Sequence, residues 1–156
     1  MEDITKLCDV VRETGFAIHR YHKHGHLEKV YENALAHRLR KLGLVVKQQY
    51  PLKVYDEDDT LIGDYNADLF VDNRLIIELK AAKALAEEHV AQILGYLRSS
   101  GVEHGLLINF GAPKFEIKKY VLSRLGEASR PGGLIGGTLS LFASLAPFCG
   151  WFHFGC

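Results

Sequence analysis

A chain of 156 residues, 47% of them hydrophobic, can bury one core but is too short for two full domains. Its 19 Lys and Arg residues are balanced by 19 Asp and Glu residues, which excludes a strong overall basic field. Any contact with nucleic acid must therefore depend on a local basic patch.

The cysteines and the amino terminus indicate a cytoplasmic protein. Cys8, Cys149 and Cys156 are widely separated and form no C-x-x-C pair, so neither a disulfide framework nor a zinc site is predicted. The first residues have no apolar stretch behind a basic start, so they do not resemble a secretory signal.

Two helices are predicted in succession at the start of the chain. Apolar residues at mostly helical spacing predict a helix from Ile4 to Tyr21, and a second from Leu27 to Leu42 that ends at Gly43. Residues 22–26 (HKHGH) separate them. Their histidines stand at alternate positions and do not share a helix face, so this segment is interpreted as a loop rather than a metal site.

Three strands follow. Alternating and β-branched residues predict a strand from Leu44 to Tyr55, and the acidic residues 56–59 interrupt it as a turn. Strands from Leu61 to Val71 and from Leu75 to Lys80 are joined by the tight connection 72–74. The three strands form an antiparallel meander.

The next elements complete an α/β domain. A helix is predicted from Ala84 to Ser99, closed by Gly101, and the apolar run from Gly105 to Phe110 predicts a buried strand. Since a helix crosses over between them, this strand lies parallel to its predecessor. A last short helix is predicted from Phe115 to Leu125. The fold class is therefore α/β, with a mixed central sheet flanked by helices.

The carboxyl-terminal segment differs in composition from the rest. We predict a domain over residues 1–125 and an apolar, Gly-rich tail over residues 126–156, which carries no Asp, Glu, Lys or Arg after Arg130. The tail is long enough to cross a bilayer, but its Gly, Ser and Pro residues make it a weak spanning candidate. A loose tail, a helix packed on the domain and an aberrant terminus are the alternatives.

The third strand carries the first chemical signal. Glu78 and Lys80 are two residues apart and share one face, and pairing of Val71 with Leu75 places Asp68 opposite Glu78. Two carboxylates facing each other are destabilising unless a cation lies between them, and Mg²⁺ is the hard ion that suits such oxygen ligands. The alternative is a solvated strand face in which Asp68 pairs with a nearby Lys or Arg.

Two helices add candidate residues. Glu28 lies on the apolar face of the second helix, where a carboxylate needs a partner, although a first-turn acid is also favoured by the helix dipole. Gln92 and Tyr96, with His89 one turn earlier, share a side of the third helix. This row is able to contact phosphate or orient Lys80, and the alternative is an ordinary half-exposed face.

Several segments resemble the signature of the GxxExxY family, whose members are assigned to the PD-(D/E)XK nuclease superfamily. They are residues 25–31 (GHLEKVY), 65–69 (YNADL), 77–81 (IELKA), 88–92 (EHVAQ) with Tyr96, and 106–111 (LLINFG). They follow one another in one order, and the resemblance as a whole covers about four fifths of the chain, which is more specific than any single motif. The resemblance implies a restriction-endonuclease-like core, from which the tail departs.

The resemblance also assigns roles to individual residues. Asp68 and Glu78 would be metal ligands. Glu28, on the second predicted helix, would be a further ligand and would correspond to the catalytic acid that the family carries on its first helix. Lys80 would be the catalytic lysine, and Gln92 with Tyr96 the Q-x-x-x-Y element of exonuclease-like branches. The expected cofactor is Mg²⁺, with Mn²⁺ as a substitute, and the expected partner is nucleic acid, DNA before RNA; no small-molecule cofactor is expected.

The function predicted is therefore hydrolysis of phosphodiester bonds by a metal-dependent nuclease. The neutral net charge favours an alternative, a non-catalytic module that binds nucleic acid or protein on the same scaffold. A third hypothesis, a membrane-attached accessory protein, depends only on the apolar tail.

Overall fold

A computed structural model describes residues 3–123, which form three helices and one five-stranded sheet. The elements in chain order are α1 (Ile4–His22), α2 (Glu28–Lys41), β1 (Val46–Tyr55), β2 (Leu61–Val71), β3 (Leu75–Lys80), α3 (Glu87–Ser100), β4 (His104–Asn109) and β5 (Glu116–Val121). The predicted tail, residues 126–156, lies outside the described residues, and the domain boundary near residue 125 stays a prediction. Within residues 3–123 no helix is long and apolar enough to cross a membrane.

The sheet has the order β1-β2-β3-β4-β5 and is mixed. The first three strands pair in antiparallel fashion, whereas β3 and β4 are parallel because α3 crosses over between them. The predicted meander with one added parallel strand is confirmed. Val71 pairs with Leu75, as the tight connection requires.

The connection between β2 and β3 shows why this register is fixed locally. The N–H of Arg74 donates to the carbonyl of Val71 at 3.0 Å, and Asp72 and Asn73 between them have φ of 49° and 55°. Two successive left-handed residues are typical of the turn that matches the twist of a β-hairpin, and Asp and Asn tolerate this conformation.

The predicted last helix, Phe115–Leu125, is wrong: the chain forms β5 there, antiparallel to β4. Without β5, one edge of β4 would leave its backbone hydrogen-bonding groups unpaired. The alternation of β5 also fits a strand, since Ile117 packs on one core and Tyr120 on the other. Pairing with β4 therefore outweighs the local helical tendency of this charged segment.

The sheet separates two apolar cores. One lies under α1 and α2 and contains Ile77 and Leu79 of β3, whereas the other lies under α3 and contains Ile76. Because successive side chains of a strand point to opposite faces, Glu78 and Lys80 share the α3 face with Ile76. The polar end of β3 is thus built against the smaller core.

Candidate metal centre

Asp68 and Glu78 meet where the β2–β3 ladder ends. The last backbone pair toward this end is Leu69 with Ile77, so Asp68 and Glu78 occupy the next position in the same register. Beyond that pair the Asp68 carboxylate itself bonds to β3, because its Oδ2 accepts a hydrogen bond from the Leu79 N–H at 2.7 Å. Asp68 is 9% exposed and Glu78 only 2%, so both carboxylates are withdrawn from bulk water.

Glu78 is only partly satisfied by its neighbours. Its Oε1 accepts a hydrogen bond from Lys80 Nζ at 2.7 Å, and both side chains are largely buried. Its other oxygen, Oε2, is buried without a hydrogen-bond partner. An unpaired carboxylate oxygen in the interior is costly, so this atom marks a place where a cation or a donor would be stabilising.

Burial controls the protonation of this pair. Burial and then the charge of Asp68 raise the pKa of Glu78 to about 8, against the opposing influence of Lys80. Burial acts to lower the pKa of Lys80, but its hydrogen bond to Glu78 and the surrounding carboxylates outweigh burial and raise it. The short contact favours an ionised Glu78, whereas a pKa of about 8 keeps it protonated at neutral pH. Burial dominates, because Oε2 has no partner that would stabilise the charge.

Glu28 approaches the same place from α2. It is the first residue of that helix and is half-buried, and burial raises its pKa. The charge of Lys80 and a hydrogen bond from the Ala81 backbone oppose this increase, and the charge of Asp68 adds to it. Glu28 therefore lies beside the residues that end β3.

Gln92 and Tyr96 line the α3 side of this region. Gln92 Nε2 donates to the Tyr96 hydroxyl at 2.6 Å, and the pKa of Tyr96 is raised by burial and by the charges of Glu78 and Asp68. Tyr96 is 4% exposed. His89 does not join them, because its Nδ1 accepts a hydrogen bond from the Ala86 N–H at the start of α3.

Sequence reasoning missed two residues of this region, Glu32 and Gln49. Glu32 is 2% exposed and pairs with Lys29 at 2.7 Å. Gln49 Nε2 donates to Glu32 at 2.9 Å and to Asp68 at 3.2 Å, so one amide bridges two carboxylates. The spacing of four between Glu28 and Glu32 is a signal that could have found Glu32. No local signal indicates Gln49, which has a φ of 49° inside β1.

The end of β3 is held by the end of β4. Asn109, fully buried, accepts hydrogen bonds from the N–H groups of Ala82 and Gly111, both at 3.0 Å. A Cβ at Gly111 would lie 2.3 Å from the carbonyl carbon of Ala81, so only glycine fits. This close contact fixes the backbone immediately after Lys80.

A family model now places the chain among known proteins. The model described as the PD-(D/E)XK nuclease superfamily matches residues 5–120. The chain belongs to the PD-(D/E)XK nuclease superfamily. Its mixed sheet and flanking helices agree with the core of that superfamily, so the predicted restriction-endonuclease-like fold is confirmed. No curated protein matches the sequence.

One solved structure supports the fold of this PD-(D/E)XK chain. It is described as the crystal structure of SSO0001, and it superposes with a TM-score of 0.51 at 16% sequence identity. The match covers 64% of this chain and 52% of the other, so the chain spans about half the length of the solved protein. At that identity the likeness concerns the fold alone.

Nucleases of the PD-(D/E)XK superfamily usually use divalent metals, and the residues present fit one. Residues 3–123 contain no group of three or more His, Cys, Asp or Glu side chains arranged to hold a metal ion, so Asp68, Glu78 and Glu28 do not form a ready cage. Magnesium, however, is commonly held by one or two carboxylates and completes its shell with water and substrate phosphate. The unpaired Oε2 of Glu78, beside Asp68, offers such a partial set.

Proposed function

We propose that the protein is a nuclease of the GxxExxY type that hydrolyses phosphodiester bonds of DNA with Mg²⁺, or with Mn²⁺ in its place. The observation that carries the proposal is the unpaired, buried Oε2 of Glu78, next to a second carboxylate and a lysine. Packing alone gives no reason to keep this group of charges at the end of two strands. A cation together with a phosphate would neutralise it.

Asp68 and Glu78 are the proposed ligands, and Glu28 is a third carboxylate at their margin. A Mg²⁺ held by these carboxylates would supply activation of water and neutralisation of charge on the scissile phosphate. Because burial raises the pKa of the metal-free Glu78 to about 8, metal binding at neutral pH requires the loss of its proton. Metal binding should therefore release protons and strengthen as the pH rises toward 8.

Lys80 and α3 have separate proposed roles. Lys80 Nζ lies 2.7 Å from a ligand oxygen, where its ammonium group stabilises negative charge that develops on the phosphate. Gln92 and Tyr96 form a hydrogen-bonded pair whose polar groups are proposed to contact phosphate or orient Lys80. Because Gln92 stays partly exposed while Tyr96 is buried, Gln92 is the better candidate for the phosphate contact.

The experiment incubates the purified full chain with labelled single-stranded DNA, duplex DNA and RNA, each with Mg²⁺ or Mn²⁺. Cleavage is expected with the wild type, whereas Glu78→Ala should lose it. Glu57→Ala, which removes an exposed carboxylate in the β1–β2 turn, is the matched control and should cleave like the wild type.

The absence of cleavage with either metal would refute the catalytic proposal. If the chain still bound nucleic acid under those conditions, the alternative of a non-catalytic binding module would replace it. The neutral net charge of the chain is the observation that favours this alternative.

A further inference from the structure

A basic groove lies between the end of α1 and the loop that joins β4 to β5. It encloses about 410 Å³, and its lining includes Arg20, Lys23 and Lys114. No Asp or Glu residue within residues 3–123 lines it. In a chain with equal numbers of acidic and basic residues, a groove with three cations and no described acid is a local positive patch.

The three cations are available to a ligand. Arg20, Lys23 and Lys114 are all exposed, and none of them forms an ion pair with another described residue. By contrast, Lys29 and Lys80 are paired with buried carboxylates. The groove cations are therefore not needed to neutralise charge within the fold.

Lys23 occupies a backbone conformation that glycine adopts more readily. It caps α1 with φ 58° and ψ −168°, in a region of backbone space that is almost restricted to glycine. The chain keeps a long basic side chain at this position in spite of the strain. Backbone strain of this kind is concentrated at binding and catalytic sites, which gives a second reason to assign a function to the groove.

The walls of the groove are held in place by the fold. His19 is 7% exposed, and its Nε2 lies 2.9 Å from the Ala112 carbonyl, which joins α1 to the loop. Phe16 is half-exposed, and its ring meets that of Phe115 edge to face at a centroid distance of 6.1 Å. An exposed aromatic ring beside cations is a common arrangement in proteins that bind single-stranded nucleic acid.

The segments that form the groove contact the segments that carry the candidate metal centre. On the loop side, Gly111 packs against the backbone of Ala81, the residue after Lys80. On the helix side, the carbonyl of Lys23 accepts a hydrogen bond from Tyr31 at 2.7 Å, one turn of α2 beyond Glu28. Each wall of the groove is therefore tied to a segment that carries a residue of the centre, Lys80 on the loop side and Glu28 on the helix side.

We propose that this groove binds phosphates of the nucleic-acid strand whose scissile phosphodiester lies at Asp68, Glu78 and Lys80. The proposal rests on the proposed function, because it concerns how that substrate is held. It gives the neutral chain the local patch that phosphate binding requires. Among the described residues, no hydrogen bond or ion pair joins Arg20, Lys23 or Lys114 to Asp68 or Glu78, so these cations are assigned to binding rather than to bond cleavage.

The test measures binding of the full chain to a labelled single strand of about 12 nucleotides by fluorescence anisotropy. A chelator is present so that hydrolysis does not interfere, and the salt concentration is varied. The main variant combines Arg20→Ser, Lys23→Gly and Lys114→Ser. A single-stranded phosphate contact contributes about 0.7 to the slope of log K against log salt concentration, so the slope should become shallower by about 2.

The matched control removes three exposed lysines outside the groove, with Lys6→Ser, Lys41→Ser and Lys118→Ser. It changes net charge by the same amount, so the groove variant must lose more affinity and more slope than the control does. Lys23→Gly alone separates binding from folding. Its slope should fall by about 0.7 while its melting temperature stays equal to that of the wild type or rises, because glycine suits the backbone there.

Equal affinity and slope for the groove variant and its control would overturn the proposal. So would a loss of binding to vesicles of anionic phospholipid with no loss of binding to the oligonucleotide, since the groove would then recognise a membrane surface. If the wild type bound the strand through the groove but cleaved nothing, the proposed nuclease activity would be refuted, while the assignment of the groove to strand binding would stand.

Discussion

Glu78→Gln should make the metal-free protein more stable at alkaline pH. Glu78 is 2% exposed, its Oε2 is unpaired, and its pKa is raised from 4.5 to about 8. Between these values the folded chain retains a proton that the unfolded chain releases. The effect of Glu78 is therefore to lower the free energy of unfolding of the wild type as the pH rises from about 4.5. This effect reaches its full size above about pH 8.

The magnitude follows from the interval of about 3.5 pH units between the two pKa values. At about 1.4 kcal/mol per unit it amounts to about 5 kcal/mol as an upper limit. Glutamine avoids this cost. Like the protonated glutamate, it leaves Lys80 without a charged partner, and the attraction of Lys80 is already contained in the pKa of about 8. We expect a net gain of up to about 5 kcal/mol at pH 8.5 and almost none at pH 4.5, where the folded wild type is protonated and the unfolded chain is half protonated.

Urea unfolding of both proteins from pH 4.5 to 9, in chelator, measures this difference. When Mn²⁺ replaces the chelator, it should raise the free energy of unfolding of the wild type and not of the variant, because a ligand that binds the folded state stabilises that state. Glu57→Gln, at an exposed turn position, controls for the general loss of one carboxylate. A variant no more stable than the wild type at pH 8.5 would refute the reasoning that burial dominates at Glu78.

Four further predictions concern other parts of the chain. Lys80→Met should lower the single-turnover cleavage rate about 10²-fold, while calorimetric titration shows unchanged or tighter Mg²⁺ binding. If this variant cleaved as fast as the wild type, the proposed role of the lysine would be contradicted. Gly111→Ala should cost about 3 kcal/mol or more in urea unfolding, because its Cβ would overlap Ala81, and a cost below about 1 kcal/mol would show that this contact yields easily. Gln49→Gly should weaken Mn²⁺ binding about 10-fold by calorimetry, because the variant loses the hydrogen bond to Asp68. Its melting temperature should change little, because glycine adopts the left-handed backbone conformation at this position without strain. Truncation after Leu125 should leave a cooperatively unfolding protein, and loss of the cooperative transition would mean that the tail belongs to the core.

The sequence was informative where short-range rules decide the structure. The alternation of residues 75–80 predicted which side chains share a face, and the Asp-Asn turn predicted the pairing of Val71 with Leu75. The position of Glu28 on an apolar face predicted that it needs a partner. Its neighbours could not be predicted, since Ala81 and Lys80 reach it only through the packing of α2 on the sheet.

Other features depend on distant parts of the chain. Residues 116–121 (EIKKYV) form a strand because they pair with the edge of β4. No local sequence pattern indicates that this edge has no other partner strand among the described residues. Gln49 adopts a left-handed conformation that neither its type nor its neighbours favour, and its two carboxylate partners come from α2 and β2. Both features are set by tertiary structure, which overrides local preference.

The division of the centre between two layers determines how it responds to change. Asp68, Glu78 and Lys80 are carried by neighbouring strands that are hydrogen-bonded to each other and backed by α3, whereas Glu28 belongs to α2, which packs on the other core. Substitutions that shift α2 as a body will displace one carboxylate and leave the other three groups in register. The sheet is therefore the invariant part of the centre, and the helix is the part through which mutation can adjust its reactivity without rebuilding it.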